Sequence, residues 1–124
     1  MLFMKKVASP TVLLVDADAE QSRLNKNELE AQGYRVVCVD SGAEALAAFD
    51  HETIDAVVVD AFLPDMHVLD LVDEIATTRR RRTSIIINDT CPGYKQNFRY
   101  WAADAVIEKS AVSTNRFSQV AALL

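Results

Sequence analysis

Two short apolar runs in the sequence each end on an aspartate. Asp16 follows the run at residues 12–15, and Asp60 follows the run at residues 57–59. Uninterrupted apolar runs of this length are typical of strands in a parallel sheet that is covered on both faces. Because ligands collect at the carboxyl ends of parallel strands, the pattern predicts two neighbouring carboxylates in one crevice. Such a pair is typical of an acidic site for cation-dependent phosphate chemistry.

Strand and helix patterns alternate along the chain and must position these acids. The strand patterns lie at residues 11–15, 35–39, 54–59, 84–87 and 105–107. The helix patterns lie at residues 18–32, 43–49, 69–77, 94–102 and 115–124. In the first helix, Leu24 and Leu29 are predicted to point inward, and Gly33 follows where a residue with positive φ ends a helix. Since right-handed crossovers place helices on both faces, we predict a doubly wound, five-stranded parallel α/β fold of the flavodoxin-like kind.

The composition limits the classes of function. The chain has 124 residues, of which 50% are apolar, and a net charge of −5. This acidic balance argues against sequence-independent binding to nucleic acid or to an anionic membrane surface, since such binding needs clustered positive charge. No apolar run reaches the roughly 18 residues of a membrane span, and the cysteines follow no metal-binding or thiol motif. We therefore predict a cytoplasmic protein with an N-terminal extension at residues 1–10 and one domain at residues 11–124.

The order and spacing of several short motifs resemble the receiver domain of two-component response regulators, the CheY-like family. The motifs are Val12–Asp18, Gly33-Tyr34, Ser41–Leu46, Asp55–Asp60 with Leu63–Met66, and Ala103-Asp104 before Lys109. Each motif alone is a weak signal, whereas together, in this order, they are specific. The resemblance extends without a gap from Val12 to about Ile75 and, with the C-terminal motif, covers nearly the whole chain. It implies the same five-stranded receiver fold.

The resemblance implies that Asp60 accepts a phosphoryl group from a sensor histidine kinase or a phosphotransfer protein. It also implies Mg²⁺ at Asp16, Asp60 and Phe62, and a Lys109 side chain that pairs first with Asp60 and later with the phosphate. A carboxylate attacks a phosphoryl group only where positive charge offsets the phosphoryl oxygens, so the chemistry itself requires a cation, a lysine and hydrogen-bond donors. The implied function is a signalling switch that changes protein partners, rather than an enzyme.

Two positions depart from the family pattern. Ala17 replaces the second acid after the first strand, and the loss of a direct carboxylate ligand is expected to weaken Mg²⁺ binding. Asp18 is the next acid, and it either reaches the cation through water or stabilises the N-terminus of a helix. At the end of the fourth strand, the Ser or Thr position of the family falls on Asp89, with Asn88 and Thr90 as alternatives. A carboxylate at that position would repel the phosphoryl oxygens, whereas Thr90 would preserve the ordinary chemistry.

Three further residues concern switching and partners. His67 lies near the mouth of the predicted site, although a lone exposed histidine is more often passive than a proton carrier. Val106 replaces the aromatic residue that usually reports phosphorylation, so any switch must use other residues. Tyr100 is predicted to contact a downstream protein target or a second copy of the chain in a homodimer.

The same fold also carries functions other than that of a phosphorylated receiver. Ala17 and Asp89 favour a degenerate receiver that acts as a phosphorylation-independent protein interaction module. A flavodoxin is disfavoured because the acidic loop after the first strand lacks the Gly, Ser or Thr residues of a phosphate-binding loop. An aspartate-nucleophile phosphatase would need a second acid where Phe62 stands. No effector domain is expected after the last predicted helix, so the chain is interpreted as a stand-alone regulator or a segment of a longer one.

Overall fold

A computed structural model describes residues 9–78, 83–89 and 105–108 of the chain. Its elements are β1 (Thr11–Val15), α1 (Ala19–Ala31), β2 (Arg35–Val39), α2 (Gly42–His51), β3 (Ala56–Asp60), α3 (Val68–Thr78), β4 (Ser84–Asp89) and β5 (Ala105–Glu108). Each was predicted in type, with bounds that differ by at most two residues. The helices predicted at 94–102 and 115–124 lie outside the described residues. Within the described ranges, no helix combines the length and apolar character needed to cross a membrane.

The five strands form one parallel sheet in the order β2-β1-β3-β4-β5. In this order the connections reverse direction between β1 and β3, which is the point where doubly wound sheets bind their ligands. β1 and β3 are aligned so that Val15 pairs with Val59. On the other side of β3, Asp60 pairs with Asn88 of β4. The predicted α/β class and its parallel sheet are confirmed.

Alternating side chains along the strands divide the core into two clusters on opposite faces of the sheet. On one face, residues such as Leu13 and Val57 pack with α2 and α3. On the other face, Val12 and Val58 pack with Leu29 of α1. The central strands are therefore covered on both sides, which explains why their sequences are uninterrupted apolar runs.

The two ends of α1 are formed by specific residues. The Asp18 side chain accepts hydrogen bonds from the backbone N–H groups of Glu20 and Gln21, at 3.0 and 3.1 Å, and so caps the helix. After the helix, Gly33 has φ of 97°, the left-handed conformation that glycine adopts without steric cost. The helix-terminus role considered for Asp18 and the positive φ predicted for Gly33 are both confirmed.

The inward orientation predicted for Leu24 is wrong, whereas that of Leu29 is confirmed. Leu24 is 48% exposed and Leu29 is completely buried. The buried side of α1 is formed by Ser22, Asn25 and Leu29, which follow one another at helical spacing. Leu24 precedes Asn25 by one position and is therefore rotated by about 100° from this buried side. The helix therefore turns the polar side chains of Ser22 and Asn25 towards the sheet. The spacing of its apolar residues instead predicts that Leu24 faces the sheet.

These two leucines provide a matched test of the α1 packing. We expect Leu29→Ala to lower the free energy of unfolding by about 2–5 kcal/mol, because the truncation leaves a cavity between the helix and the sheet. Leu24→Ala should change the same quantity by less than about 0.5 kcal/mol. Denaturant titration of both variants measures the two values. Equal losses would contradict the buried side assigned to α1.

Candidate functional site

Asp16 and Asp60 lie at adjacent strand ends on the carboxyl edge of the sheet. Asp16 directly follows β1, and Asp60 is the last residue of β3. Because Val15 pairs with Val59 in neighbouring strands, each aspartate lies one residue beyond a paired position. Both are buried, with exposed fractions of 3% and 7%. The pair of neighbouring acids predicted from the sequence is therefore present at the switch point of the fold.

Each of these aspartates shapes the loop that follows it. The Oδ1 atom of Asp16 accepts a hydrogen bond from the Asp18 N–H at 2.9 Å. The Oδ1 atom of Asp60 accepts one from the Phe62 N–H at 3.1 Å. Both bonds reach two residues ahead, as in an Asx turn, and bend the backbone towards the carboxylate. The orientation of both carboxylates is thereby tied to the backbone of the loops that border the site.

The residues after Asp60 continue the sheet before they enter the loop. The Ala61 N–H donates to the Asn88 carbonyl at 3.0 Å, which extends the pairing of β3 with β4 past the aspartate. Phe62 comes next, and its residue surface is 63% exposed. Its ring has no oxygen, so the backbone carbonyl is the only cation ligand that Phe62 can offer. The N–H group of the same residue donates a hydrogen bond to the Asp60 carboxylate.

β4 brings a neutral polar side chain to the same edge. Asn88 is the pairing partner of Asp60 and is only 1% exposed. Paired residues on parallel strands direct their side chains to the same face, so the Asn88 side chain lies on the face of Asp60. Over the described ranges, its Oδ1 atom has no hydrogen-bond partner, an arrangement that costs roughly 1–3 kcal/mol in a protein interior. The motif spacing places Asn88 only as an alternative to Asp89, and nothing in the sequence pattern indicates its burial.

Several residues singled out in the sequence have no described side chain. They are Thr90, Tyr100 and Lys109, which lie outside the described residues, and Asp89 and Val106, of which only the backbone is described. The backbone of Asp89 pairs with that of Glu108, the residue before Lys109. The pairing of Lys109 with Asp60 stays a prediction. The choice of Asn88, Asp89 or Thr90 for the Ser/Thr position also stays open.

His67 caps the helix that follows the site loop. Its Nδ1 atom accepts a hydrogen bond from the Leu69 N–H at 3.1 Å. Its carbonyl accepts bonds from the N–H groups of Asp70 and Leu71, at 3.0 and 3.2 Å. This is the geometry of an N-cap, and it requires an Nδ1 atom that carries no proton. The passive interpretation of His67 is therefore supported by a structural role at the start of α3.

Asp65 fastens the same loop to the start of α2. Its two carboxylate oxygens accept hydrogen bonds from the backbone N–H groups of Gly42 and Ala43, at 2.8 and 2.9 Å. The bond from Gly42, followed by that from Ala43, lowers the pKa of Asp65 below its ordinary value of 3.8. A Cβ atom at Gly42 would lie 2.5 Å from the Met66 Sδ atom. A larger residue at position 42 would therefore require the flexible Met66 side chain to move, whereas the Asp65 bonds use only the backbone of α2.

The oxygen atoms at this edge fit a magnesium ion. Over the described residues, no three His, Cys, Asp or Glu side chains come together to hold a metal. The edge instead offers the carboxylates of Asp16 and Asp60 and the buried Asn88 oxygen. Mg²⁺ prefers oxygen ligands, usually takes one or two carboxylates and keeps several waters, so this donor set suits it. Ala17 adds no ligand, and its position is exposed.

Comparison with known proteins decides the family. The sequence model of the response regulator receiver domain matches residues 12–114. The chain belongs to this family. It is therefore a receiver module of two-component signal transduction, as the motif resemblance implied, and the receiver fold expected from that resemblance is confirmed.

Individual relatives match part or all of the chain. The transcriptional regulatory protein CpxR of Klebsiella pneumoniae is 32% identical over 69 residues, which are 56% of this chain and 29% of CpxR. The receiver domain chain thus matches less than a third of the length of this curated relative. The structure of response regulator TrrA from Thermotoga maritima, solved with Mg²⁺-BeF, has a TM-score of 0.85 and 29% identity, and covers 93% of this chain and 99% of TrrA. TrrA in complex with histidine kinase ThkA has a TM-score of 0.84 and 29% identity, covering 93% of this chain and 98% of that one.

The cap formed by His67 can be tested by substitution. His67→Ala should lower the free energy of unfolding by about 1 kcal/mol, because the Leu69 N–H loses its acceptor. His67→Ser should recover most of this loss, since a hydroxyl oxygen can accept the same bond. Thermal or denaturant unfolding of the two variants checks the order. An alanine variant as stable as the serine variant would contradict the capping role.

The Asp65 contact predicts a pH-dependent contribution to stability. Because folding lowers the pKa of Asp65, the contribution is fully present above the ordinary pKa and is lost as the pH falls through the lowered pKa. Asp65→Asn should therefore be less stable than the unsubstituted chain at neutral pH, and the gap should close in acid. Denaturation at several pH values measures it, with Asp50→Asn, on the exposed surface of α2, as the control for charge loss. Equal stability of Asp65→Asn and the unsubstituted chain at pH 7 would contradict the contact.

Proposed function

We propose that Asp60 is the phosphoacceptor of this receiver domain. The observation that carries the proposal is the register of β1 and β3, which sets Asp60 beside Asp16 at the carboxyl edge of the sheet. A carboxylate oxygen of Asp60 attacks the phosphorus of a phosphohistidine, and a new O–P bond forms as the N–P bond breaks. The electron pair of that bond returns to the imidazole of the donor. Buried neighbours around Asp60 limit the access of water to the product.

Asp16, Asp60 and the backbone carbonyl of Phe62 are the proposed ligands of Mg²⁺. When bound, this ion supplies the positive charge that offsets the developing charge on the phosphoryl oxygens. The occurrence of Mg²⁺-BeF in the related TrrA supports a cation at this edge. Because Ala17 replaces a carboxylate ligand, we expect weaker Mg²⁺ binding than in receivers that have an acid there.

Lys109 is the proposed second positive charge. It follows β5 in the sequence. β5 pairs with β4, and β4 in turn pairs with β3, the strand that ends at Asp60. A lysine ammonium group can pair with the Asp60 carboxylate before the reaction and with the phosphate after it. Asp89 and Thr90, with Asn88 as the third alternative, are the candidates for contact with the phosphoryl group. Thr90 suits this role better than Asp89 because its hydroxyl donates a hydrogen bond.

A sensor histidine kinase or a phosphotransfer protein is the proposed phosphoryl donor. The complex of TrrA with histidine kinase ThkA supports a partner of this class. The phosphorylated chain then changes its affinity for a downstream protein in the cytoplasm, with a homodimer as one form of that contact. The net charge of −5 favours protein partners over nucleic acid or an anionic membrane.

Intact-mass spectrometry tests the phosphoacceptor. After incubation with acetyl phosphate and Mg²⁺, we expect the full chain to gain one phosphoryl group, because the Asp60 carboxylate attacks the donor. Asp60→Asn should gain none, since the amide is a poor nucleophile at phosphorus. An unsubstituted chain that gains nothing over a range of Mg²⁺ and Mn²⁺ concentrations would contradict the proposal and favour the degenerate, phosphorylation-independent receiver.

Restoring the family acid tests the effect of Ala17. Ala17→Asp should tighten Mg²⁺ binding roughly tenfold, about 1.4 kcal/mol, because it adds a carboxylate ligand at an exposed position beside Asp16. Ala17→Asn supplies a neutral side chain of similar size and should give a smaller gain. Isothermal titration of all three chains with Mg²⁺ measures the affinities. Equal affinity of the unsubstituted and Ala17→Asp chains would contradict the weakening assigned to Ala17.

A further inference from the structure

Asn88 is a polar residue where the sheet otherwise buries apolar side chains. It follows Ile85, Ile86 and Ile87, which are completely buried in β4, and it is itself 1% exposed. Its Oδ1 atom has no hydrogen-bond partner among the residues that the structure describes. Buried amide oxygens without a partner are rare in folded proteins, and a bound water or ion is one of the groups that can satisfy them. Packing alone would be better served by a leucine or valine.

The position of Asn88 indicates what that group is. Asn88 pairs with Asp60 across β4 and β3, and Asp16 lies on the far side of Asp60 at the end of β1. Three oxygen-bearing side chains thus occupy neighbouring strands at one edge, and all three are at least nine-tenths buried. Asp16 and Asp60 already accept backbone N–H groups. Among these three side chains, Asn88 is the one whose oxygen finds no hydrogen-bond donor in the described part of the chain.

We infer that Asn88 Oδ1 accepts a hydrogen bond from a water molecule bound to the cation at Asp16 and Asp60. This inference rests on the cation site of the proposed function. A water on Mg²⁺ is a strong donor, and Mg²⁺ usually keeps several waters when it binds a protein. Asn88 lies on the β4 side of Asp60, away from Asp16. From this position, a water between Asn88 and the ion is a better arrangement than direct coordination of the ion by Asn88. The amide holds the hydrated ion without adding a negative charge that would repel a phosphoryl group.

This role also bears on the missing acid at position 17. Ala17 leaves the ion with fewer protein ligands, and therefore with more water in its shell. Each retained water needs acceptors for its hydrogens, and a buried amide oxygen beside Asp60 supplies one. Asn88 is thus a positioning residue for the ion, with no contact to the reacting phosphoryl group required.

Mn²⁺ binding to the full chain, without any phosphoryl donor, tests the inference. Mn²⁺ replaces Mg²⁺ as a probe because the free ion is counted directly by its electron paramagnetic resonance signal. We expect Asn88→Leu to weaken Mn²⁺ binding by about tenfold, the usual effect of losing an outer partner of a metal site. Asn88→Asp keeps an oxygen and should bind at least as tightly as the unsubstituted chain. Asn25→Leu removes a different buried amide, in α1, and should leave Mn²⁺ affinity unchanged.

The outcomes separate this inference from the proposed function. Equal Mn²⁺ affinity of Asn88→Leu and the unsubstituted chain would overturn it, even if Asp60 is phosphorylated normally. Weaker binding by Asn88→Leu would support it, even if acetyl phosphate fails to modify Asp60. Circular dichroism melting is expected to show Asn88→Leu at least as stable as the unsubstituted chain, since an unsatisfied oxygen is removed. Should that variant not fold, Asn88→Val provides the same comparison.

Discussion

The alignment of β1 with β3 is the constraint on which the rest of the site depends. It places two buried acids, Asp16 and Asp60, at the ends of neighbouring strands. Like charges so close together repel each other, and burial strengthens the repulsion because water no longer screens it. The apolar packing on both faces of the sheet holds the strands in this register. The core thus maintains two neighbouring acids whose repulsion the proposed cation would offset.

A second set of contacts holds the loop after Asp60. Asp60 itself accepts the N–H of Phe62, Asp65 accepts two N–H groups of α2, and His67 begins α3. Each contact uses a side chain to satisfy backbone donors that a turn or a helix end leaves unpaired. The loop that carries the Phe62 carbonyl is therefore fixed at its beginning, middle and end. Such support would keep the Phe62 carbonyl in place for the role proposed for it as a cation ligand.

Much of the fold and the two central acids could be predicted from the sequence. The apolar runs that end on Asp16 and Asp60 indicate where two strands end, and this prediction does not depend on the position of the helices. The error at Leu24 has a clear cause, since α1 turns Ser22 and Asn25 towards the sheet and no periodicity of apolar residues reveals this. β4 continues two residues past its predicted end because Asn88 and Asp89 are polar yet still paired. Contacts such as that of Asp65 with α2 join residues distant in sequence, and they become visible only when the chain is folded.

The central claim is that the β1 and β3 ends form one cation site. Nuclear magnetic resonance of the ¹⁵N-labelled chain during Mg²⁺ titration tests it most directly, because each backbone amide reports its own surroundings. The account predicts saturable shifts at Ala17, Asp18, Ala61 and Phe62, with little change at the amino ends of the same strands. These shifts should be lost in Asp16→Asn. Saturating Mg²⁺ that leaves the amides of both loops unchanged, or shifts amides elsewhere instead, would contradict the account.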